Sequence, residues 1–172
     1  MRIVRKLTDN KFLNIKEVVD ISKHVQGFQF AERLGVDSVA FVCYDRNKEL
    51  FLLNNEYKPP NDLFLSGAFG GSIDKNKKKE EIVIDECKEE AGFTVSFDNV
   101  KYVGKVMVST QMNQFCYLYL VEVNKEDQGE KMPENEVEAM STTSWLPIKD
   151  IFKLNDWKCI TIIAKAKGLD IL

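Results

Sequence analysis

One histidine, four scattered cysteines and no long apolar run leave several chemistries without the residues they require. His24 has no Ser, Cys or Asp pattern around it that would make it a nucleophile's base, so a surface histidine is expected rather than a triad. Cys43, Cys87, Cys116 and Cys159 form no Cys-x-x-Cys pair and sit mostly in apolar patterns, which reads as buried free thiols in a reducing, cytoplasmic setting. The N-terminal MRIVRKLTDNKFLN lacks an apolar core long enough for a signal peptide, and no segment approaches a membrane-spanning length, so a soluble protein with no membrane partner is expected. Charge of neither sign dominates: 24 basic against 27 acidic residues give -3, no electrostatic case for nonspecific nucleic-acid binding. No internal repeat or long linker interrupts the chain, and 44% hydrophobic with 30% charged residues is globular composition, so residues 1–172 read as a single domain.

The hydrophobic pattern predicts mostly strands. Residues 1–34 read as short, irregular strands, and residues 26–33 alternate aromatic and polar as a half-buried strand does, placing Phe28 and Phe30 in a core or interface. Residues 38–44 and 49–54, joined by a polar turn, predict a hairpin, and a proline-containing break precedes a short strand at 63–65. Further strands are expected at 95–97, 102–108 and 115–123, the last central in a sheet, with Met112 and Gln114 either near a substrate or in core and loop roles. Residues 124–138 carry six acids against two lysines and predict a mobile loop. A last helix, capped by Asn155 or Asp156 and ended by Gly168, is expected to present Trp157, Ile160, Thr161 and Ala164 on one face. These elements suit an α+β sandwich with a mixed central sheet.

The chemistry concentrates in residues 70–93, GGSIDKNKKKEEIVIDECKEEAGF, a glycine-led loop running into a carboxylate-rich helix. At about 100° per residue from Ile82, Glu89, Glu86 and Glu90 share one arc, and Val83, Ile84, Cys87 and Ala91 fall on its neighbour. Glutamates on a helix are commonly a solvated face. Here they crowd at i, i+3 and i+4, where like charges repel, and such crowding asks for a hard divalent cation that shares its remaining positions with water and substrate phosphates. Gly67, Gly70 and Gly71 permit close approach of a backbone to a phosphate, or simply a tight turn. Lys75, Lys77, Lys78 and Lys79 read mostly as a solvated loop.

This stretch resembles the Nudix box: Gly, five residues, Glu, seven residues, Arg-Glu, an aliphatic residue, any residue, Glu-Glu, any residue, Gly and an aliphatic residue. Gly71, Glu86, Cys87, Glu89, Glu90, Gly92 and Phe93 take their places without a gap. Two positions depart: Lys77 stands for the first glutamate and Asp85 for the arginine. Asp85 adds a negative charge one turn before Glu89, an expected strain that Lys88 or a bound metal would offset.

The resemblance implies a Nudix-type α/β/α sandwich and metal-assisted hydrolysis of a nucleoside diphosphate linked to another group, with Mg2+ or Mn2+ as cofactor. Glu86 and Glu90 would be metal ligands, Glu89 a ligand or water-positioning base, and Glu134, Glu136 or Glu138 of the acidic loop the possible base, with Glu136 the placeholder. Phe28 to Arg33, Glu56-Tyr57-Lys58-Pro59-Pro60 and Trp145-Leu146-Pro147 are similar to the ADP-ribose pyrophosphatase branch. Members of that branch are typically homodimers whose N-terminal strands help build the partner's nucleoside site. Residues 1–34 would then be a dimer extension, Phe28 a base-stacking residue, and Arg33, Lys58, Gly70 and Gly71 substrate contacts. The branch's downstream Ser-Pro-Gly is replaced by Ser109-Thr110-Gln111, and the NADH-hydrolysing signature is absent. Besides ADP-ribose or a nucleotide sugar, the alternatives are nucleoside or dinucleoside polyphosphates, capped RNA, or a catalytically weak nucleotide sensor.

Overall fold

A computed structural model of the chain describes residues 1–33, 35, 37–73 and 76–172, with Val137 described by its backbone alone. Lys75 of the basic loop lies outside these residues.

The run SVAFVCYD forms β4 (Ser38–Asp45), buried along almost its whole length because both its faces are covered. Val39, Phe41 and Cys43 join one apolar cluster, and Ala40, Val42 and Tyr44 join the other. Strand β9 (Phe115–Glu122) lies parallel to β4, with Ser38 opposite Cys116 and Tyr44 opposite Glu122, and is central as expected. The predicted hairpin is β4 with β5 (Leu50–Lys58), antiparallel from Cys43 opposite Leu52. Its turn is held by Asp45 Oδ1, which accepts from the amides of Asn47 (2.9 Å) and Lys48 (3.0 Å). Farther along, β4 and β5 take separate partners: β7 (Phe69–Ser72) pairs with β4, and β6 (Leu63–Gly67) pairs with β5. With β8 (Val100–Met107) and β10 (Thr142–Pro147) the result is a seven-stranded mixed sheet, β10-β5-β4-β9-β8.

Helices cover both faces. Helix α1 (Lys79–Glu86) and the π-turn Cys87–Ala91 pack Ile82, Val83, Cys87 and Ala91 on one face. Two further short helices, α2 (Glu136–Ala139) and α3 (Ile148–Ile151), flank β10, and α4 (Trp157–Gly168) covers the second face. The α+β class and the helix–sheet–helix layering therefore match the sequence expectation. All four cysteines are buried and free, with the Sγ atoms of Cys43 and Cys87 3.7 Å apart.

Several expectations need correction. Residues 1–33 are more ordered than expected: β1 (Arg2–Lys6), β2 (Leu13–Asp20) and β3 (Val25–Arg33) form a separate three-stranded antiparallel sheet, with one register shift between Val18 and Asp20. Residues 95–97 make no strand, because Ser96 and Asn99 close a 3-10 turn over Phe97–Asn99. Helix α4 buries Cys159, Ile162, Ile163 and Ala166, while Trp157 is 39% exposed and Ala164 is exposed. The apolar residues run almost continuously there, so periodicity alone leaves the phase of the helix open. Asp156, not Asn155, caps it, its side chain accepting from the Lys158 amide. The acidic loop is anchored: the Gly129 amide donates to Gly92 O (2.8 Å) and the Met132 amide to Glu89 O (2.9 Å). No helix among the described residues is long and apolar enough to cross a membrane.

Candidate active site

The site is built where β7 meets α1. Pairing of Val39 with Gly71 and Ala40 with Gly70 fixes the glycine strand against the sheet centre. Gly71 is glycine because of what lies over it: a Cβ there would come within 2.6 Å of the Glu86 carboxyl carbon. Gly92, at φ 77°, ends the π-turn by donating its amide to Cys87 O, a conformation that suits glycine.

The π-turn alters the arc read from sequence. A π-turn rotates the chain less per residue than an α-turn, which brings Glu90 back toward Glu86 and carries Glu89 farther round from Glu86. Glu86 and Glu90 line a cleft of about 660 Å³, whereas Glu89 is not among its described lining residues. Glu89 is half-buried and acts on Glu86 through its charge.

Burial is the main cause of the site's electrostatics. It pushes the Glu86 carboxyl up to about 8, with Glu90, Glu89, Glu138 and Glu134 adding repulsion. Glu90, 6% exposed, is pushed up to about 7 by burial and by Glu56 and Glu138, against the opposing hydrogen bond from the Gly70 amide. Its Oε2 is buried with no hydrogen-bond partner among the described residues. Two repelling carboxylates, one with an orphaned oxygen, fit a hard divalent cation. Among the described residues no group of three or more His, Cys, Asp or Glu side chains is arranged to hold an ion unaided. Such a donor set suits magnesium, which keeps several waters and commonly binds through one or two carboxylates plus substrate phosphates.

Cations share the same cleft. Arg33, at the end of β3, donates to Ser72 Oγ at 2.7 Å, so the N-terminal sheet delivers a guanidinium to the glycine strand. Lys58 pairs with Glu56 at 2.6 Å, and Lys158 enters from α4. Buried Gln114 also lines the cleft and donates to Ser38 Oγ at 3.2 Å, while Met112 instead bridges to Ala31 of β3.

The structure thus brings Glu86, Glu90, Arg33, Lys58, Gly70 and Gly71 together. It does not bring Glu136 or Phe28 into this cleft: Glu136 is exposed in the first turn of α2, and Phe28 is 46% exposed on the N-terminal sheet. Glu134 and Glu138 of the same acidic loop do line it. Sequence reasoning missed Glu56 and Lys158. Alternation along β5 puts Glu56 on the same side as Lys58 and could have found it; Lys158 carries no such signal.

The NUDIX domain family model matches residues 35–161. No curated protein matches the chain. Among solved structures, the chain is similar to one titled "Crystal structure of ADP compounds hydrolase", with TM-score 0.73 and 14% sequence identity, over 97% of this chain and 91% of that chain. At that identity the likeness speaks for the fold. The gapless box, the sandwich and a family match spanning most of the chain agree, and the protein belongs to the Nudix family of hydrolases.

Proposed function

We propose that the chain is a divalent-metal-dependent pyrophosphohydrolase acting on a nucleoside diphosphate linked to a second group, ADP-ribose or a nucleotide sugar. The observation that carries this reading is the cleft's two-sign character: Glu86 and Glu90 facing the glycine strand, with Arg33, Lys58 and Lys158 beside them. Carboxylates of this kind hold magnesium or manganese, and the cations hold the phosphates. The likeness to a hydrolase of ADP compounds supports the adenosine diphosphate half of the substrate.

Glu86 and Glu90 are the metal ligands in this proposal, and the missing Cβ at Gly71 lets the Glu86 carboxylate lie against the glycine strand that also lines the phosphate cleft. When bound, the cation neutralises phosphoryl oxygens and acidifies water. Arg33 and Lys58 orient the diphosphate. Glu138 replaces Glu136 as the candidate base, because it lines the cleft and Glu136 does not. Its carboxylate is held in place by the Glu134 amide at 2.8 Å and by the Asn135 side chain, and it would accept the proton of the attacking water. Glu89 tunes Glu86 through its charge.

The N-terminal sheet and its connections expose Val4, Phe12, Leu13, Ile21 and Phe28, an apolar set that supports a homodimer in which Phe28 reaches a partner's nucleoside. Four buried free thiols support a cytoplasmic location. The test is product release from a panel of ADP-ribose, nucleotide sugars, NADH, dinucleoside polyphosphates and capped RNA with Mg2+ or Mn2+, beside a Glu86→Gln control. Cleavage of ADP-ribose or a nucleotide sugar that disappears in the control is expected. Cleavage confined to polyphosphates or capped RNA would replace the substrate class.

A further inference from the structure

Beside the main cleft lies a smaller hollow of about 100 Å³, between the β5–β6 hairpin and the start of α4. Glu56, Lys58, Ala68 and Lys158 line both volumes, so the hollow is an annex of the cleft. Its charged groups, Glu56 and Asp156 against Lys58 and Lys158, balance, and Leu65 and Ala68 form part of its wall. Asn54, Ser66 and Asn155 contribute neutral polar groups, and no aromatic residue is among its described lining. Lys58 pairs with Glu56, and Asp156 accepts from the amides of Ala68 (2.6 Å) and Lys158 (3.1 Å). Asn54 is 3% exposed, and its Oδ1 has no donor among the described residues.

A nucleobase wants an aromatic partner or an apolar slot, and an additional phosphate wants net positive charge. The annex offers no aromatic partner among its described lining and no net positive charge. Its volume is below the ~150 Å³ that accommodates one benzene, so it admits the end of a hydroxylated group rather than a base.

We propose that the annex is the subsite for the hydroxyl-bearing, sugar-like group on the far side of the diphosphate. Lys158, on the shared wall, is the positioning residue for the phosphate attached to that group. The proposal rests on the reading that a sugar-linked nucleoside diphosphate is the substrate.

The test uses the full chain with Mg2+ and two substitutions. Asn155→Trp fills the annex from an exposed position, and Lys158→Met removes the cation while keeping the backbone amide that Asp156 caps. Steady-state turnover of ADP-ribose is paired with calorimetric binding of the two half-products, ribose 5-phosphate and AMP. Lys158→Met is expected to raise KM by about tenfold, the scale of one lost charge-assisted hydrogen bond, and Asn155→Trp to raise it by at least as much by occluding the annex, each with a much smaller change in kcat. Ribose 5-phosphate binding should weaken in parallel while AMP binding is kept. Weakened AMP binding with ribose 5-phosphate unaffected would put the nucleoside in the annex and overturn the proposal, as would indifference of both ligands in the folded Asn155→Trp protein. Absence of ADP-ribose turnover in the unsubstituted protein would instead remove the functional reading beneath it.

Discussion

Lys77 and Asp85 form an ion pair, Nζ to Oδ2 at 2.5 Å, that ties the basic loop to α1 one residue before Glu86. These are the two positions at which the box departs from its family pattern, and each carries the opposite sign to the expected residue. The two departures therefore compensate each other. The Asp85 hydrogen bond and charge raise the Lys77 ammonium above its usual range. Lys77 is thus an ion-pair partner that offsets Asp85.

A charge-exchange series checks this relationship. Lys77→Glu should lower Tm by setting like charges together, and adding Asp85→Arg should recover most of the loss, because the pair then has the family's polarity. Half-exposed side chains keep the effect modest. A double variant no better than Lys77→Glu in thermal melts would show the pair to be incidental.

Gly71→Ala separates activity from stability. The added Cβ meets the end of the flexible Glu86 side chain, so the carboxylate can swing aside at little cost to the fold. Displacement of a reacting group by about 1 Å can cost on the order of 100-fold in rate. A near-normal Tm with a loss of that size in kcat is expected; unchanged turnover would remove Glu86 from the metal site.

Glu138→Gln and Glu136→Gln distinguish the acidic-loop candidates. Loss of a general base costs on the order of 100- to 10,000-fold, so Glu138→Gln should fall into that range in kcat while Glu136→Gln stays close to the parent. The reverse order in rapid-quench assays would return Glu136 to the site.

Metal-free stability should fall with pH. The folded values of Glu86 and Glu90, about 8 and about 7, lie above the ordinary carboxylate value, so the folded state binds these protons more tightly. Their stabilising contribution is complete below about pH 4.5 and is lost as pH rises through 7 to 8. Tm in EDTA should decrease across that interval, and saturating Mg2+ should flatten the curve by stabilising the ionised carboxylates. An EDTA Tm that climbs over the same interval would contradict the assignment.

Ile163→Ala should destabilise by about 2–5 kcal/mol, because Ile163 is fully buried, and Ala164→Ser should be nearly neutral. Chemical denaturation of the two variants tests the phase of α4.

The sequence by itself determined the box, the hairpin of residues 38–44 with 49–54 and the α+β layering, because glycine placement, carboxylate spacing and strand-and-turn patterning are local properties of the chain. It also singled out Glu86, Glu90, Gly70, Gly71, Arg33 and Lys58, which the fold brings into one cleft. Only the tertiary structure decided the rest. The π-turn shifted the angular relation of Glu86, Glu89 and Glu90, and helical periodicity at one fixed angle carries no sign of that change. The anchored acidic loop turned Glu138 inward and left Glu136 outside, a choice set by hydrogen bonds to Gly92 and Glu89 that are distant in sequence. Lys158 and the annex depend on where α4 lands against the β5–β6 hairpin, and the pairing of Lys77 with Asp85 depends on how the loop folds back on α1. Each is a contact between segments whose separate sequences hold no record of the other.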